Sequence, residues 1–146
     1  MFFESDYKVL TNEKIAKDVY KMELEGDTSH ITAPGQFINI KLEGKFLRRP
    51  ISVCDCNENV ITIIYKVVGE GTEQMSNISV GEMLNILTGL GNGYDISKSA
   101  KPLLIGGGVG VPPMYYLAKK LIESGQKPTV VPVSYTHLTL PTTSRV

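Results

Sequence analysis

The stretch that decides the fold is PLLIGGGVGVPP, residues 102–113. Its first part, Pro102–Ile105, is typical of a buried strand, and the glycine run Gly106–Gly110 that follows is typical of a tight turn. From about Pro112 to Ser124 the apolar residues recur at helical spacing, and Thr129–Val133 is again an apolar strand. Strand, glycine turn, helix and strand together predict one parallel βαβ unit, which is the start of an α/β domain.

The residues before this unit follow a different pattern. Between residue 6 and about residue 89, short runs of β-forming residues alternate with turn pairs such as Gly26-Asp27 and Pro34-Gly35. Six strands at this spacing predict a small antiparallel β-barrel. We therefore predict a barrel domain over residues 1–95 and an incomplete α/β domain over 96–133. The predicted strands are Tyr7–Thr11, Val19–Leu24, Gln36–Leu42, Ile51–Asp55, Val60–Val68 and Met83–Leu87.

Composition restricts the classes of function. The 146 residues are 42% hydrophobic and 21% charged, and fifteen basic residues balance fifteen acidic ones to a formal net charge of zero. No overall field attracts a polyanion or an acidic membrane, so neither nucleic acid nor a membrane is an expected partner. The start of the chain lacks a signal-peptide pattern, and no window approaches the roughly 18 apolar residues of a membrane span. These features predict a cytoplasmic protein.

The only two cysteines, Cys54 and Cys56, are separated by one residue at a predicted strand end, so their side chains point to opposite faces. Two thiols are too few for a four-ligand zinc or iron–sulfur site. We interpret them as ordinary structural residues and predict no metal site in this chain. No catalytic residue is identified from the sequence.

Residues 134–146 differ from the rest of the chain. Six of the thirteen are Ser or Thr, and none is acidic. The segment resembles the translation of a sequencing-adapter read-through, and we interpret it as a non-native tail that follows a truncation. A genuine polar tail is the alternative.

The run Arg48-Arg49-Pro50-Ile51-Ser52 carries the clearest chemistry. An arginine just before a strand can bind a diphosphate through its forked donors, and a hydroxyl three residues on can bond the polar edge of a heterocycle. Pro50 removes one backbone donor, which suits a sheet edge with a ligand alongside. A solvated basic turn is the alternative.

A second run, Ile64-Tyr65-Lys66, is followed by Gly71-Thr72 and a predicted short helix over Glu73–Ile78. Thr72 is a candidate N-cap, and the free N–H groups of a helix start can bind a phosphate. A capped helix without a ligand is the alternative.

The glycine turn offers the third candidate site. Because Gly106, Gly107, Gly108 and Gly110 follow a strand and open a helix, a ligand can approach the backbone closely, and the helix dipole favours an anion there. The turn departs from the full dinucleotide fingerprint, since Val111 occupies the place of its third glycine.

The order of these motifs is similar to that in the ferredoxin reductase superfamily, over about residues 5–133. The Arg-Pro-Ile-Ser form, together with Gly-Leu-Gly-Asn-Gly-Tyr at residues 89–94, resembles the electron-transfer subunits of class B dihydroorotate dehydrogenases. The resemblance implies a six-stranded antiparallel, flavin-binding β-barrel followed by the start of an α/β nucleotide-binding domain.

The resemblance also implies roles for particular residues. The FAD would be lined by the first two runs, with its phosphates at Gly71 and Thr72, and the glycine turn would face the nicotinamide nucleotide. The residues concerned are Arg49, Pro50, Ile51, Ser52, Ile64, Tyr65, Lys66, Gly71 and Thr72 for FAD, and Gly106, Gly107, Gly108 and Gly110 for NADH.

Members of this family pass electrons from NADH through FAD and a [2Fe-2S] cluster to an FMN-containing dihydroorotate dehydrogenase catalytic subunit in pyrimidine biosynthesis. The cluster cysteines of the family have no match here, so the cluster is implied for the intact protein and its ligands are absent from this chain. Two alternatives stay open. One is the flavin subunit of a sulfhydrogenase or of a ferredoxin:NADP reductase-like enzyme, and the other is a non-catalytic flavin-binding fragment.

Overall fold

The computed structural model of the chain describes residues 2–97 and 101–133. A large antiparallel sheet comes first along the chain, and a smaller parallel unit follows it. The elements of the first part are β1 (Phe3–Ala16), β2 (Val19–Glu25), β3 (Phe37–Ile40), β4 (Arg49–Ser52), β5 (Asp55–Asn57), β6 (Val60–Lys66), α1 (Glu70–Ser76) and β7 (Met83–Leu90). Those of the second part are β8 (Leu103–Gly107), a 3₁₀ turn (Gly108–Gly110), α2 (Val111–Glu123) and β9 (Thr129–Val133).

The large sheet has seven strands in the order β4-β3-β7-β1-β2-β6-β5. Its two outermost strands, β4 and β5, are separated along the chain only by Val53 and Cys54. The Val53 N–H donates to the Gln36 carbonyl oxygen beside β3, at 3.2 Å, and the Cys54 N–H donates to the Thr62 carbonyl oxygen of β6, at 2.9 Å. The two ends of the sheet therefore meet at these residues, and the sheet curls into a barrel.

This closure of the barrel explains why the observed strands differ from the predicted strands. The predicted strand Ile51–Asp55 is in fact two strands, since the chain leaves the β3 side and joins β6 between Val53 and Cys54. Seven strands replace the six predicted, because β5 is an additional strand. The first strand is also longer than predicted, since it pairs with β7 through its first half and with β2 through its second.

The core of the barrel consists mainly of apolar side chains. Buried side chains such as Met22, Ile38 and Ile63 form the core. Within it the Tyr65 hydroxyl donates to Asn12 Oδ1 at 2.7 Å, and Asn12 Nδ2 donates to the carbonyl oxygens of Met75 and Ile78 at 2.8 and 3.0 Å. These bonds satisfy carbonyl groups at the end of α1 and fix that helix on the barrel.

The second part is the predicted βαβ unit. Strands β8 and β9 pair in parallel, and one face of α2 packs on them through Leu117 and Leu121. Tyr116, on another face of α2, belongs to the barrel core, and Lys119 Nζ lies 2.8 Å from Asp55 Oδ1 of β5. The hydrogen bond to Asp55 raises the pKa of Lys119. These contacts hold the middle of α2 against the barrel.

No helix within the described ranges is long and apolar enough to cross a membrane. The predicted tail, residues 134–146, lies outside the described residues. The predicted domain limits at 95 and 96 fall just before residues 98–100, which also lie outside them, and these limits stay a prediction.

Candidate functional site

A cleft of about 350 Å³ opens between β4, β6 and the start of α2. It brings together residues from all three sequence motifs. Its lining consists of Arg49, Pro50, Ile51, Ser52, Ile64, Tyr65, Lys66, Val68, Thr72, Val109 and Pro113. The predicted flavin-lining residues other than Gly71 are therefore neighbours in the structure, and Gly71 contacts Arg49 directly.

Strand β4 forms one wall because it is an edge strand. It pairs with β3 alone, and Pro50, opposite Asn39, has no N–H to offer on the free edge. The Ser52 hydroxyl makes no hydrogen bond in the described part of the chain. This wall therefore presents an unsatisfied hydroxyl and an apolar ring to the cleft.

The two neighbouring arginines differ in their location and in their hydrogen-bond partners. Arg48 lies on the outside of the barrel, where its Nη2 is 2.5 Å from Asn85 Oδ1 and 3.3 Å from Glu4 Oε2. Within the described part of the chain, Arg49 makes a single hydrogen bond, from Nη1 to the Leu47 carbonyl oxygen at 2.8 Å. Most of the five guanidinium donors of Arg49 are therefore free to bind a ligand.

The Arg49 side chain crosses directly over Gly71. A Cβ atom placed on Gly71 would lie 2.0 Å from Arg49 Nε and 2.7 Å from Cζ. Only a residue without a side chain allows the guanidinium to lie there. Gly71 therefore positions Arg49 at the beginning of α1.

Helix α1 begins earlier than predicted, at Glu70 rather than Glu73, and its N-cap is Gly69. Thr72 is the third helical residue and not the cap. Its hydroxyl accepts hydrogen bonds from the N–H groups of Val68 and Gly69, at 2.8 and 3.2 Å, which closes the turn before the helix. The backbone N–H groups of Glu70 and Gly71 have no acceptor within the helix, as in any first turn.

The β6 wall consists of Ile64, Tyr65 and Lys66, which differ in what they offer to a ligand. The Tyr65 side chain is 2% exposed, and its hydroxyl is bonded to Asn12 inside the barrel, so it is not available to a ligand. Burial raises its pKa. Ile64 is half-buried, and Lys66 is exposed and forms no ion pair in the part of the chain that the structure describes. Lys66 is thus a cation available at the cleft.

The glycine turn approaches the cleft through Val109, and Pro113 of α2 lies beside it. Its four candidate glycines fall into two pairs. A Cβ on Gly106 would lie 2.9 Å from the Gly110 carbonyl oxygen, and one on Gly107 would lie 3.1 Å from the Val133 carbonyl oxygen, so both are packed. A Cβ atom added to Gly108 or to Gly110 would meet no atom of the described residues within 4 Å. The second pair therefore offers its backbone to a ligand.

Neither cysteine takes part in this site. Burial raises the pKa of Cys54 to about 12, and burial also raises the pKa of Cys56. Both are free thiols. Within residues 2–97 and 101–133, no group of three or more His, Cys, Asp or Glu residues could hold a metal ion.

Sequence reasoning missed three apolar residues of the cleft, Val68, Val109 and Pro113. Val68 ends a predicted strand that stops at Lys66 in the structure, and Val109 lies within the glycine turn, where only the glycines are candidates from the sequence. Pro113 belongs to the Pro-Pro pair at the start of α2. Such a pair predicts the first turn of a helix, but it does not predict that this turn faces the cleft.

The Gly71→Ala variant tests whether the position of Arg49 matters for ligand binding. We expect this variant to fold normally, because the atom in the way belongs to a flexible side chain, but to displace the Arg49 guanidinium from α1. Affinity for a diphosphate-containing ligand should fall by about fivefold to tenfold, because the displaced guanidinium keeps only part of its charge-assisted contact. Calorimetric titration of both proteins, with thermal unfolding as the folding control, measures this. Unchanged affinity would show that Arg49 binds nothing from this position.

Comparison with solved structures defines the class of protein. The structure of an NADH-dependent reduced ferredoxin-NADP oxidoreductase, described for flavin-based electron bifurcation, superposes with a TM-score of 0.84 at 32% identity, over 92% of this chain and 51% of that chain. The curled antiparallel sheet followed by a βαβ unit is therefore the ferredoxin reductase-type fold. The predicted fold class is confirmed.

Sequence comparison gives a narrower result. The electron transfer subunit of dihydroorotate dehydrogenase B (NAD⁺) from Fusobacterium nucleatum is 45% identical over 135 residues, covering 86% of this chain and 52% of the relative. The corresponding subunit from Caldanaerobacter subterraneus is 46% identical over 117 residues, covering 78% of this chain and 46% of the relative. The chain is thus a homologue of the dihydroorotate dehydrogenase B electron transfer subunits, as its motifs predict. It spans about half the length of the curated relatives it matches, and no family model matches it.

Proposed function

We propose that this chain is the FAD-binding part of an electron transfer subunit that accepts electrons from NADH and delivers them to a dihydroorotate dehydrogenase catalytic subunit. The observation that carries the proposal is the single cleft in which β4, β6, α1 and the glycine turn meet. The identity to the named electron transfer subunits supports the choice of partner and reaction.

The residues of the cleft fit FAD. Apolar side chains from both strands and from α2, namely Ile51, Ile64 and Pro113, provide surfaces for a flat heterocycle. The free donors of Arg49 and the first N–H groups of α1 provide an anionic group with charge-assisted hydrogen bonds. Because Gly71 has no Cβ, the Arg49 guanidinium has room to lie beside these N–H groups. When bound, FAD supplies a carrier that takes up two electrons from a hydride donor and can release them singly.

The remaining polar groups of the cleft would orient the ligand. Among the described residues, the Ser52 hydroxyl and the Lys66 ammonium group have no partner, and either can bond a heteroatom at the edge of the ring system. The open backbone at Gly108 and Gly110 is where NADH would approach, since Val109 between them lines the same cleft. The electron donor NADH and the electron acceptor FAD would then meet at the α2 end of the cleft.

The [2Fe-2S] cluster implied by the family finds no ligand set among the described residues, and no electron route is derived through it. Cys54 is buried, and its thiol has a pKa of about 12, so it does not replace a cluster ligand. The catalytic subunit as partner, the role in pyrimidine biosynthesis and the cytoplasmic location are parts of this proposal that derive from the resemblance and the sequence.

The proposal is tested with the purified chain. We expect it to retain a yellow flavin that is identified as FAD after release and that is bleached by NADH under anaerobic conditions. Mixing the reduced protein with a dihydroorotate dehydrogenase catalytic subunit measures transfer separately. Absence of any flavin binding would contradict the assignment of the cleft.

A second candidate is the flavin part of a ferredoxin:NADP reductase-like enzyme. The 32% identity to the NADH-dependent reduced ferredoxin-NADP oxidoreductase favours it. Flavin binding and bleaching would be the same in both cases. Oxidation of the reduced protein by ferredoxin, but not by the dihydroorotate dehydrogenase subunit, would favour this second function.

A further inference from the structure

Helix α2 contacts the barrel at the place where the barrel closes. Tyr116 is 3% exposed and packs in the barrel core. Lys119, on the next turn of the same helix, reaches Asp55, the first residue of β5, which directly follows the closure at Val53 and Cys54. Residues at this spacing share one side of a helix, so both contacts belong to a single face of α2.

The polar part of this face is a hydrogen-bonded ion pair. Lys119 Nζ donates to Asp55 Oδ1 at 2.8 Å and to Asn57 Oδ1 at 2.9 Å. The Cys56 N–H donates to the same Asp55 oxygen at 2.9 Å, so the carboxylate is held in one orientation. The side chains of Lys119 and Asp55 are 29% and 15% exposed. A partly buried pair with such additional bonds holds a defined geometry, whereas a fully exposed pair contributes little.

The glycine turn takes its position from the elements that it joins. Between Gly106 and Gly110 the only side chain is that of Val109, which is 60% exposed. The turn is therefore positioned by β8 and α2 rather than by side chains of its own. Gly110 directly precedes α2. At 1.5 Å per residue it lies about 9 Å before Tyr116 along the helix, so a tilt of α2 by about 10° around Tyr116 would move the turn by about 1.5 Å.

We propose that Lys119 is a positioning residue that, through its bond to Asp55, holds α2 and the glycine turn where NADH can reduce the flavin. The inference rests on the proposed function of the cleft. In that reaction a hydride leaves NADH, which becomes NAD⁺, and the flavin takes it up. Lys119 is not one of the cleft-lining residues, and it acts on the distance between the hydride donor and the flavin. Misplacement of reacting groups by about 1 Å can lower a rate by about 100-fold.

The test measures reduction of bound FAD by NADH in the full chain, by anaerobic stopped-flow bleaching. We expect Lys119→Met to lower the limiting rate at saturating NADH by about fivefold, because Tyr116 still docks α2 but no longer in one orientation. FAD affinity and the NADH concentration that gives half the limiting rate should stay close to the wild-type values. Exchange of the two charges, in the double variant Lys119→Asp with Asp55→Lys, should restore most of the rate.

Lys120→Met is the matched control. Lys120 is the next residue of α2, and its Nζ lies 3.4 Å from Glu123 Oε1 and 5.8 Å from the centre of the Tyr116 ring, so both partners belong to α2 itself. This variant removes the same positive charge without breaking a bond to β5, and its limiting rate should equal that of the wild type. A similar loss in both variants would overturn the inference, because the effect would then come from charge near NADH.

Four other results would also contradict the proposals. A wild-type limiting rate in Lys119→Met would show that the ion pair does not position the turn. A higher half-saturating NADH concentration at an unchanged limiting rate would make Lys119 a direct contact of the nucleotide. Loss of FAD from Lys119→Met, or no recovery in the charge-exchanged variant, would likewise overturn the inference alone. A wild-type chain that binds no flavin, or whose flavin NADH does not bleach, would instead overturn the proposed function.

Discussion

Arg49→Ala is expected to weaken FAD binding by at least about tenfold. Among the described residues Arg49 makes one hydrogen bond, to the Leu47 carbonyl oxygen, and its remaining donors are free at the cleft. A charge-assisted hydrogen bond to a phosphate contributes about 1.5–3 kcal/mol, which corresponds to a tenfold or larger change in the dissociation constant. Fluorescence or calorimetric titration of the apoprotein with FAD measures the effect.

Two further variants show whether the effect belongs to the arginine itself. Arg49→Lys keeps the charge but loses the forked donors, so its affinity should lie between those of the wild type and of Arg49→Ala. Arg48→Ala should change FAD affinity less, because Arg48 bonds to Asn85 and Glu4 outside the cleft. Its main effect should be on thermal stability. Equal losses of affinity in Arg48→Ala and Arg49→Ala would count against the assignment of Arg49.

Gly110→Val is expected to slow reduction of the bound flavin by NADH by about 100-fold or more while FAD stays bound. The backbone at Gly110 has φ −81°, which any residue adopts, and a Cβ there meets no atom within 4 Å. The valine therefore fits the free protein but occupies space where the nucleotide would approach. Small misplacements of reacting groups reduce rates by about this factor. Stopped-flow measurement of flavin bleaching determines the rate.

Other glycines of the turn would be less informative. Gly108 has φ +55°, so a β-branched residue there strains the backbone as well as filling space. Gly106→Ala should lower stability, because its Cβ would meet the Gly110 carbonyl oxygen and Met114. Gly110→Ala should show a smaller loss of rate than Gly110→Val. Loss of FAD itself in Gly110→Val would assign the turn to the flavin site and contradict the proposal.

Strand alternation and turn residues were sufficient to predict a small antiparallel barrel, but they did not resolve the strand near Ile51. The break at Val53 and Cys54 depends on a hydrogen bond to Gln36 on one side and to Thr62 on the other. Such partners are distant in sequence, and alternation within one run carries no information about them. Helix α1 was misplaced for a similar reason, since the Thr72 hydroxyl bonds backward to Val68 and Gly69.

The sequence by itself determined the βαβ unit, whose second strand and helix lie within one residue of their predicted limits, and the grouping of chemically suitable residues in three short runs. Those features depend on local periodicity and turn chemistry, which nearby residues specify. Tertiary structure alone decided that the runs share one cleft, that Tyr65 turns its hydroxyl to Asn12, and that Arg49 rather than Arg48 faces the site. Each of these depends on how a curled sheet brings distant strands together, because a side chain's direction is fixed by its pairing partners and not by its neighbours along the chain.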